Sequence, residues 1–208
     1  MNLVQILKRM MKKGKSFILK LKKMYFWYLF RWKVMLSVTS IFSSMTAPYL
    51  LAEGSLLHLY RNCSVGQSDL DFSLEQKWWI INKEELEEKL VMEGFIQTAV
   101  FGSIAMFGYE EAWVKNRVKV DIFSNILENK SSVTGFWVRG KLYHCTIPVE
   151  KIVMYWWRNF VQVRIPFPVE DAVIAMYGRN YPYPVDKWQW DVYPFLTGYC
   201  RKKNSLVS

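Results

Sequence analysis

A mixed α/β fold built as one domain follows from three observations. The chain has 208 residues, of which 51% are hydrophobic and 17% aromatic, enough to bury one real core and too apolar for disorder. Short stretches of strand character alternate with helical stretches, and Gly or Pro punctuates them. No internal repeat and no low-complexity linker divides the chain.

Charge separates the chain into an arm and a body. The net charge is +10, yet residues 1–52 hold ten Lys/Arg and no acid, while the rest is balanced. A neutral body lacks the basic face of a nucleic-acid binder, which excludes that class of partner. In residues 3–30 apolar side chains recur at three- and four-residue spacing with lysines between them, and the run Met24–Phe30 adds aromatics. Residues 1–33 therefore predict a basic amphipathic helix, either packed on the domain or lying on an anionic membrane surface. The seven-residue apolar run is too short to span a bilayer, which needs about 20 residues. Arg31 and Lys33 interrupt the apolar stretch, which argues against a cleavable signal peptide.

The elements of the body follow in order. Val34–Ala52 has no charge, but its Ser and Thr content and Pro48 predict a helix (about 33–45) followed by a strand (about 48–53) rather than a membrane span. Glu53-Gly54-Ser55 reads as a turn, with Ser55 as the N-cap of the next helix. Leu70–Leu74 alternates as a strand. Lys83–Met92 reads as a helix stopped by Gly94. Phe95–Phe107 and Val118–Phe123 read as strands, and Thr134–Val138 with Lys141–Cys145 as a hairpin around Arg139-Gly140. Phe160–Ile165 is a strand and Glu170–Tyr177 a helix ended by Gly178. The segment from Pro182 to Trp190 is rich in Pro and Trp, and residues 193–208 form a tail.

Cys63, Cys145 and Cys200 are widely spaced with no CxxC, which argues against zinc, and their odd number gives no disulfide framework. Two sequons occur, Asn62-Cys-Ser64 and Asn129-Lys-Ser131, of a kind that arises often by chance. The Trp78-Trp79 and Trp156-Trp157 pairs, Trp188 and Trp190 read as packing residues before they read as stacking platforms.

The chemistry lies in the acids. Asp69 and Asp71 are one residue apart on a predicted strand, so they share a face. Two carboxylates roughly 7 Å apart repel unless a cation sits between them. Asp121, on the run Val118-Lys-Val-Asp-Ile-Phe123, would complete an oxygen site suited to a hard divalent ion. Separated from Asp69 by thirteen residues, Gly54-Ser55 would turn backbone N–H groups at a helix start toward a phosphate. Arg61 has the forked geometry that pairs with phosphate oxygens or with an acid. His58 reads as a packed helix residue.

The order of these parts, an apolar strand, Gly-Ser, then D-x-D, then an Asp on a later strand, resembles the nucleotidyltransferase superfamily. Tyr49-Leu-Leu-Ala-Glu-Gly-Ser-Leu-Leu-His-Leu-Tyr-Arg61 followed by Ser68-Asp-Leu-Asp-Phe72 resembles the signature of the fukutin and LicD group within it. Val118-Lys-Val-Asp-Ile-Phe123 is similar to the group's third-acid strand, and Tyr177-Gly-Arg-Asn-Tyr-Pro-Tyr-Pro184 with Trp188 to its ending. The resemblance covers residues 34–192. It implies a nucleotidyltransferase-like domain with a mixed sheet flanked by helices. It implies transfer of a sugar-alcohol phosphate such as ribitol 5-phosphate, or of phosphocholine, from a CDP-activated donor to a glycan or glycoprotein acceptor at the luminal face of the Golgi or ER. Asp69, Asp71 and Asp121 would be catalytic and hold Mg²⁺ or Mn²⁺, and Gly54, Ser55 and Arg61 would bind the donor phosphate. Gly66-Gln67-Ser68 stands where phosphocholine transferases of the group have an acid-rich run, which favours the fukutin side. The chain also lacks fukutin's long N-terminal stem, so a catalytically inactive, membrane-associated binding or scaffolding relative is the alternative.

Overall fold

In a computed structural model the described residues are 30–62, 69–138, 141–157 and 161–179. They form a mixed α/β structure around one hydrophobic core. Four helices accompany nine strands, and the main sheet runs β1-β2-β5-β4-β3, with β6 and β7 continuing from the far half of β5.

Helix α1 spans residues 30–44. It buries Trp32, Val34, Met35, Val38, Ile41 and Phe42, and Phe42 meets Tyr49 and Phe72 at ring separations of 4.9 and 5.5 Å. Two of its hydroxyls are satisfied within the helix. Thr39 Oγ1 donates to the Met35 carbonyl and Ser44 Oγ to the Ile41 carbonyl. Thr46 takes a left-handed φ of 53° and Pro48 follows, so the chain breaks and β1 (Tyr49–Leu51) begins, as the uncharged run predicts. Among the described residues no helix is long and apolar enough to cross a membrane. The proposed arm lies almost wholly outside the described residues, as do the Pro- and Trp-rich segment and the tail.

Helix α2 (Glu53–Asn62) starts two residues earlier than expected. Ser55 is not its N-cap: the Leu56 N–H donates to the Ala52 carbonyl, and the Ser55 side chain turns to β2 instead. Strand β2 (Leu70–Glu75) leads directly into α3 (Gln76–Met92), seven residues before the expected start at Lys83. The Glu75 carboxylate accepts the Trp78 N–H at 2.6 Å and caps the new helix. Its end is as read: Gly94, at φ 84°, closes a motif in which Gly94 and Phe95 donate to the Val91 and Leu90 carbonyls.

The expected strand Phe95–Phe107 is shorter. Strand β3 (Ile96–Phe101) stops where Gly102 and Gly108, both at positive φ, turn the chain. Strand β4 (Glu110–Lys115) has no counterpart in the sequence reading, because its charged residues mask the alternation. Strand β5 (Val118–Glu128) and strand β6 (Ser131–Val138) extend beyond their expected bounds; β7 is Lys141–Pro148. Asn116-Arg117 and Asn129-Lys130 make the two hairpin turns with positive φ at both positions, where Asn is favoured first. Strands β8 (Lys151–Trp157) and β9 (Val161–Phe167) pair as a separate ribbon, of which only β9 was expected. Helix α4 (Val169–Tyr177) ends at Gly178 and packs on β7 and β9.

One pairing positions the site. Strand β2 and the first half of β5 run parallel at the sheet centre, flanked by antiparallel neighbours, while α3, β3 and β4 form the connection between them.

Candidate functional site

The parallel register sets Asp71 directly beside Asp121. Residues at spacing two share a face, so Asp69 and Lys119 fall on the same face one step earlier. Three carboxylates and one ammonium thus form a two-by-two array. Lys119 Nζ donates to Asp121 Oδ2 at 2.8 Å and to Asp69 Oδ2 at 3.4 Å.

The start of α2 closes the array at Asp71. The Ser55 N–H donates to Asp71 Oδ2 (3.1 Å), the Asp71 N–H donates to Ser55 Oγ (2.8 Å), and the Ala52 N–H donates to the Asp71 carbonyl (3.0 Å). A carboxylate at a helix N-terminus is favoured by the orphan N–H groups and the helix dipole. Ser55 is fully buried, and both its polar groups are committed to β2. Its visible contribution is to hold Asp71. Gly54 is partly exposed beside it. Asp69, Asp71, Asp121 and Ser55 converge; Arg61 lies in the last turn of α2, about 9 Å from Ser55 by helical rise.

Several residues outside the expected set belong to this region. Glu53, at φ 41° and buried, is close enough to Asp71 to raise it. The Arg31 guanidinium, from the first turn of α1, donates to the Asp69 carbonyl at 3.4 Å and faces both Asp69 and Asp71. Arg31 and Arg61 both act on His58, which burial and these cations hold below its usual range. Glu110 on β4 lies near Asp121 and Lys119. Lys119 was legible in principle, since Lys-x-Asp on a strand shares a face. Arg31 and Glu110 had no local signal, because only the fold brings α1 and β4 to β2 and β5.

The electrostatics are those of crowded acids. Burial pushes Asp71 well above the carboxylate range, and Asp121 and Glu53 add to it. Burial raises Asp121 to about 6 against the pull of Lys119. Glu110 rises to about 7 through burial and then Asp121, and Glu53 to about 8 through burial alone. Asp121 is 5% exposed, and its Oδ1 meets no hydrogen-bond partner among the described residues. A buried carboxylate oxygen without a donor is anomalous. It suits a hard cation, whose preferred ligands are carboxylate oxygens. Against this, no group of three His, Cys, Asp or Glu stands at ligating distance among the described residues. The Lys119 ammonium is the partner that Asp121 Oδ2 and Asp69 Oδ2 share.

The opposite face of β4 is structural. Glu111, fully buried, accepts from the Tyr109 hydroxyl and, at 2.9 Å, from Trp113 Nε1, with Lys83 Nζ at 3.4 Å. Trp79 packs edge-on against Tyr109, in the core as its sequence context suggested, whereas Trp156 is 54% exposed on β8. Cys145 is a buried free thiol. Trp188, Trp190, Cys63 and Cys200 lie outside the described residues.

No protein-family model matches this chain, and no curated protein matches it.

Proposed function

We propose that this protein is a metal-dependent phosphotransferase with a nucleotidyltransferase-like domain of the fukutin and LicD kind. It transfers a sugar-alcohol phosphate from a CDP-activated donor to a glycan or glycoprotein acceptor, at a luminal membrane surface of the Golgi or ER approached through residues 1–33. The observation that carries the reading is the parallel pairing of Asp71 with Asp121 at the N-terminus of α2, with a buried Asp121 oxygen left without a donor.

In this reading Asp71, Asp121 and Asp69 would hold Mg²⁺ or Mn²⁺, which would supply neutralisation of phosphoryl charge. Ser55 fixes the Asp71 carboxylate through its N–H. Gly54, with no side chain at the helix start, leaves room for a donor phosphate. Arg31 faces the acids, and it and Arg61 would supply positive charge for the pyrophosphate. The acceptor hydroxyl oxygen bonds to the distal phosphorus, the bond to the CMP oxygen breaks, and the hydroxyl proton leaves to solvent or a nearby carboxylate.

The test uses purified full-length protein, CDP-ribitol, Mn²⁺ and a phosphorylated glycan acceptor. Asp71→Asn and Asp121→Asn are expected to abolish CMP release while melting cooperatively. Wild-type rates in either variant overturn the assignment. The Lys119 ion pairs favour a second reading, an inactive binding or scaffolding relative. It predicts no heat on titrating CDP-ribitol and Mn²⁺ into the wild type.

A further inference from the structure

Asn129-Lys-Ser131 takes no part in the acid array. It forms the turn between β5 and β6, where Asn129 and Lys130 take left-handed φ of 45° and 62°. Asn is favoured first in such a turn, so the turn alone accounts for an Asn there. The structure adds how that Asn is displayed. Glu128, Asn129 and Lys130 are exposed, and the Asn129 amide meets no hydrogen-bond partner among the described residues. The turn itself is anchored. Ser131 Oγ donates to the Glu128 carbonyl at 2.8 Å, and the Val149 N–H donates to the Lys130 carbonyl at 2.8 Å. Asn129 follows Asp121 by eight positions, about 26 Å at strand rise, so a bulky group on it leaves the acids open.

Beside the turn lies a shallow hollow of 230 Å³, with Leu127, Val149 and Ile152 among its lining. From Ile152 an exposed apolar row continues along one face of β8 through Met154 and Trp156. Strand β8 pairs only with β9 among the described residues. An apolar row on such an edge strand invites association.

We propose that Asn129 is a site of N-linked glycosylation, and that its oligosaccharide covers this hollow and shields the apolar row of β8. The inference rests on the luminal placement in the proposed function and not on its metal. The donor is an oligosaccharide carried on a lipid pyrophosphate. A bond forms between the Asn129 amide nitrogen and the anomeric carbon, and the bond from that carbon to the pyrophosphate oxygen breaks. One amide proton leaves, and the lipid pyrophosphate departs. Ser131 supplies the hydroxyl that the acceptor triplet needs two residues on. A glycan is bulky and solubilising, which suits an exposed turn. The other sequon, Asn62-Cys-Ser64, leaves the described residues after Asn62.

The experiment expresses the full chain in a eukaryotic cell and treats it with a peptide-N-glycosidase, which converts a glycosylated Asn to Asp. Mass spectrometry then reads conversion at position 129, and protease digestion of sealed microsomes reports on which side of the membrane the chain lies. Conversion is expected in wild type, Ser131→Thr and Asn62→Gln, and is expected to be lost in Ser131→Ala, which keeps Asn129 itself. A protease-protected chain unmodified at Asn129 overturns the inference and leaves the luminal placement intact. A protease-accessible, unmodified chain overturns both. Removing the glycan from the folded wild type is expected to raise its light scattering. Unchanged scattering overturns the shielding and leaves the site.

Discussion

Replacing Asp121 by Asn should stabilise the metal-free protein while removing its metal response. Asp121 is buried and held at about 6 instead of the ordinary 3.8. Ionising it in the fold then costs roughly 3 kcal/mol, at about 1.4 kcal/mol for each tenfold. The Asn variant escapes this term and relieves Asp71, which Asp121 raises after burial. It also gives up the half-exposed Lys119 pair, a loss of about 0–1 kcal/mol. A net gain of about 2 kcal/mol raises Tm by roughly 4–8 °C in a chain of this size. The sign follows from linkage. The folded protein binds the Asp121 proton more tightly than the unfolded chain does. The stability is therefore full below 3.8 and lost as pH rises through about 6. The gap between Asn variant and wild type is thus widest at about pH 8 and closes toward about pH 4. Differential scanning fluorimetry in chelator across that range measures it, and saturating Mn²⁺ should raise Tm of the wild type alone. An Asn variant less stable than wild type at the upper pH, or a gap independent of pH, refutes the argument from crowded acids.

Other perturbations address how the site is built. Ser55→Ala leaves the buried Asp71 N–H without its acceptor, for a loss of about 1–3 kcal/mol in denaturant titration, and weakens Mn²⁺ binding through a loosened Asp71. Glu111→Ala strands the Tyr109 hydroxyl and Trp113 Nε1, while Lys83 keeps Glu87, and should cost about 1–3 kcal/mol for each stranded donor by the same measurement without changing Mn²⁺ affinity per folded molecule. Gly135→Ala brings a methyl group to 2.7 Å from the Gly108 Cα, a backbone contact that cannot swing aside. It should lower Tm by several degrees, and an unchanged melt would show that the β6 strand is free to shift there.

Much of the fold was legible because local chemistry was strong. The uncharged run 34–52 carried its own break in Pro48, and Gly94 and Gly178 stopped helices where a left-handed residue was needed. Errors fell where tertiary partners override local preference. Ser55 looks like an N-cap because its hydroxyl could satisfy a helix N–H, but the neighbouring strand offers the Asp71 N–H at 2.8 Å. Glu110-Glu111 looks too charged for a strand. One acid reaches the site face and the other is buried against Tyr109, Trp113 and Lys83, so the alternation is real but made of acids on both faces.

For the site, sequence alone determined that Asp69 and Asp71 share a face and that Asp121 lies within a strand-like run, Val118–Phe123, because strand period is two whatever the fold. It could not determine the neighbour of that strand. Only the parallel pairing of β2 with β5 set Asp71 beside Asp121. Only the packing of α1 and β4 delivered Arg31 and Glu110 to them. Register is decided by which apolar faces bury together across the chain. The same register laid Lys119 among the acids, with its ammonium on Asp121 Oδ2.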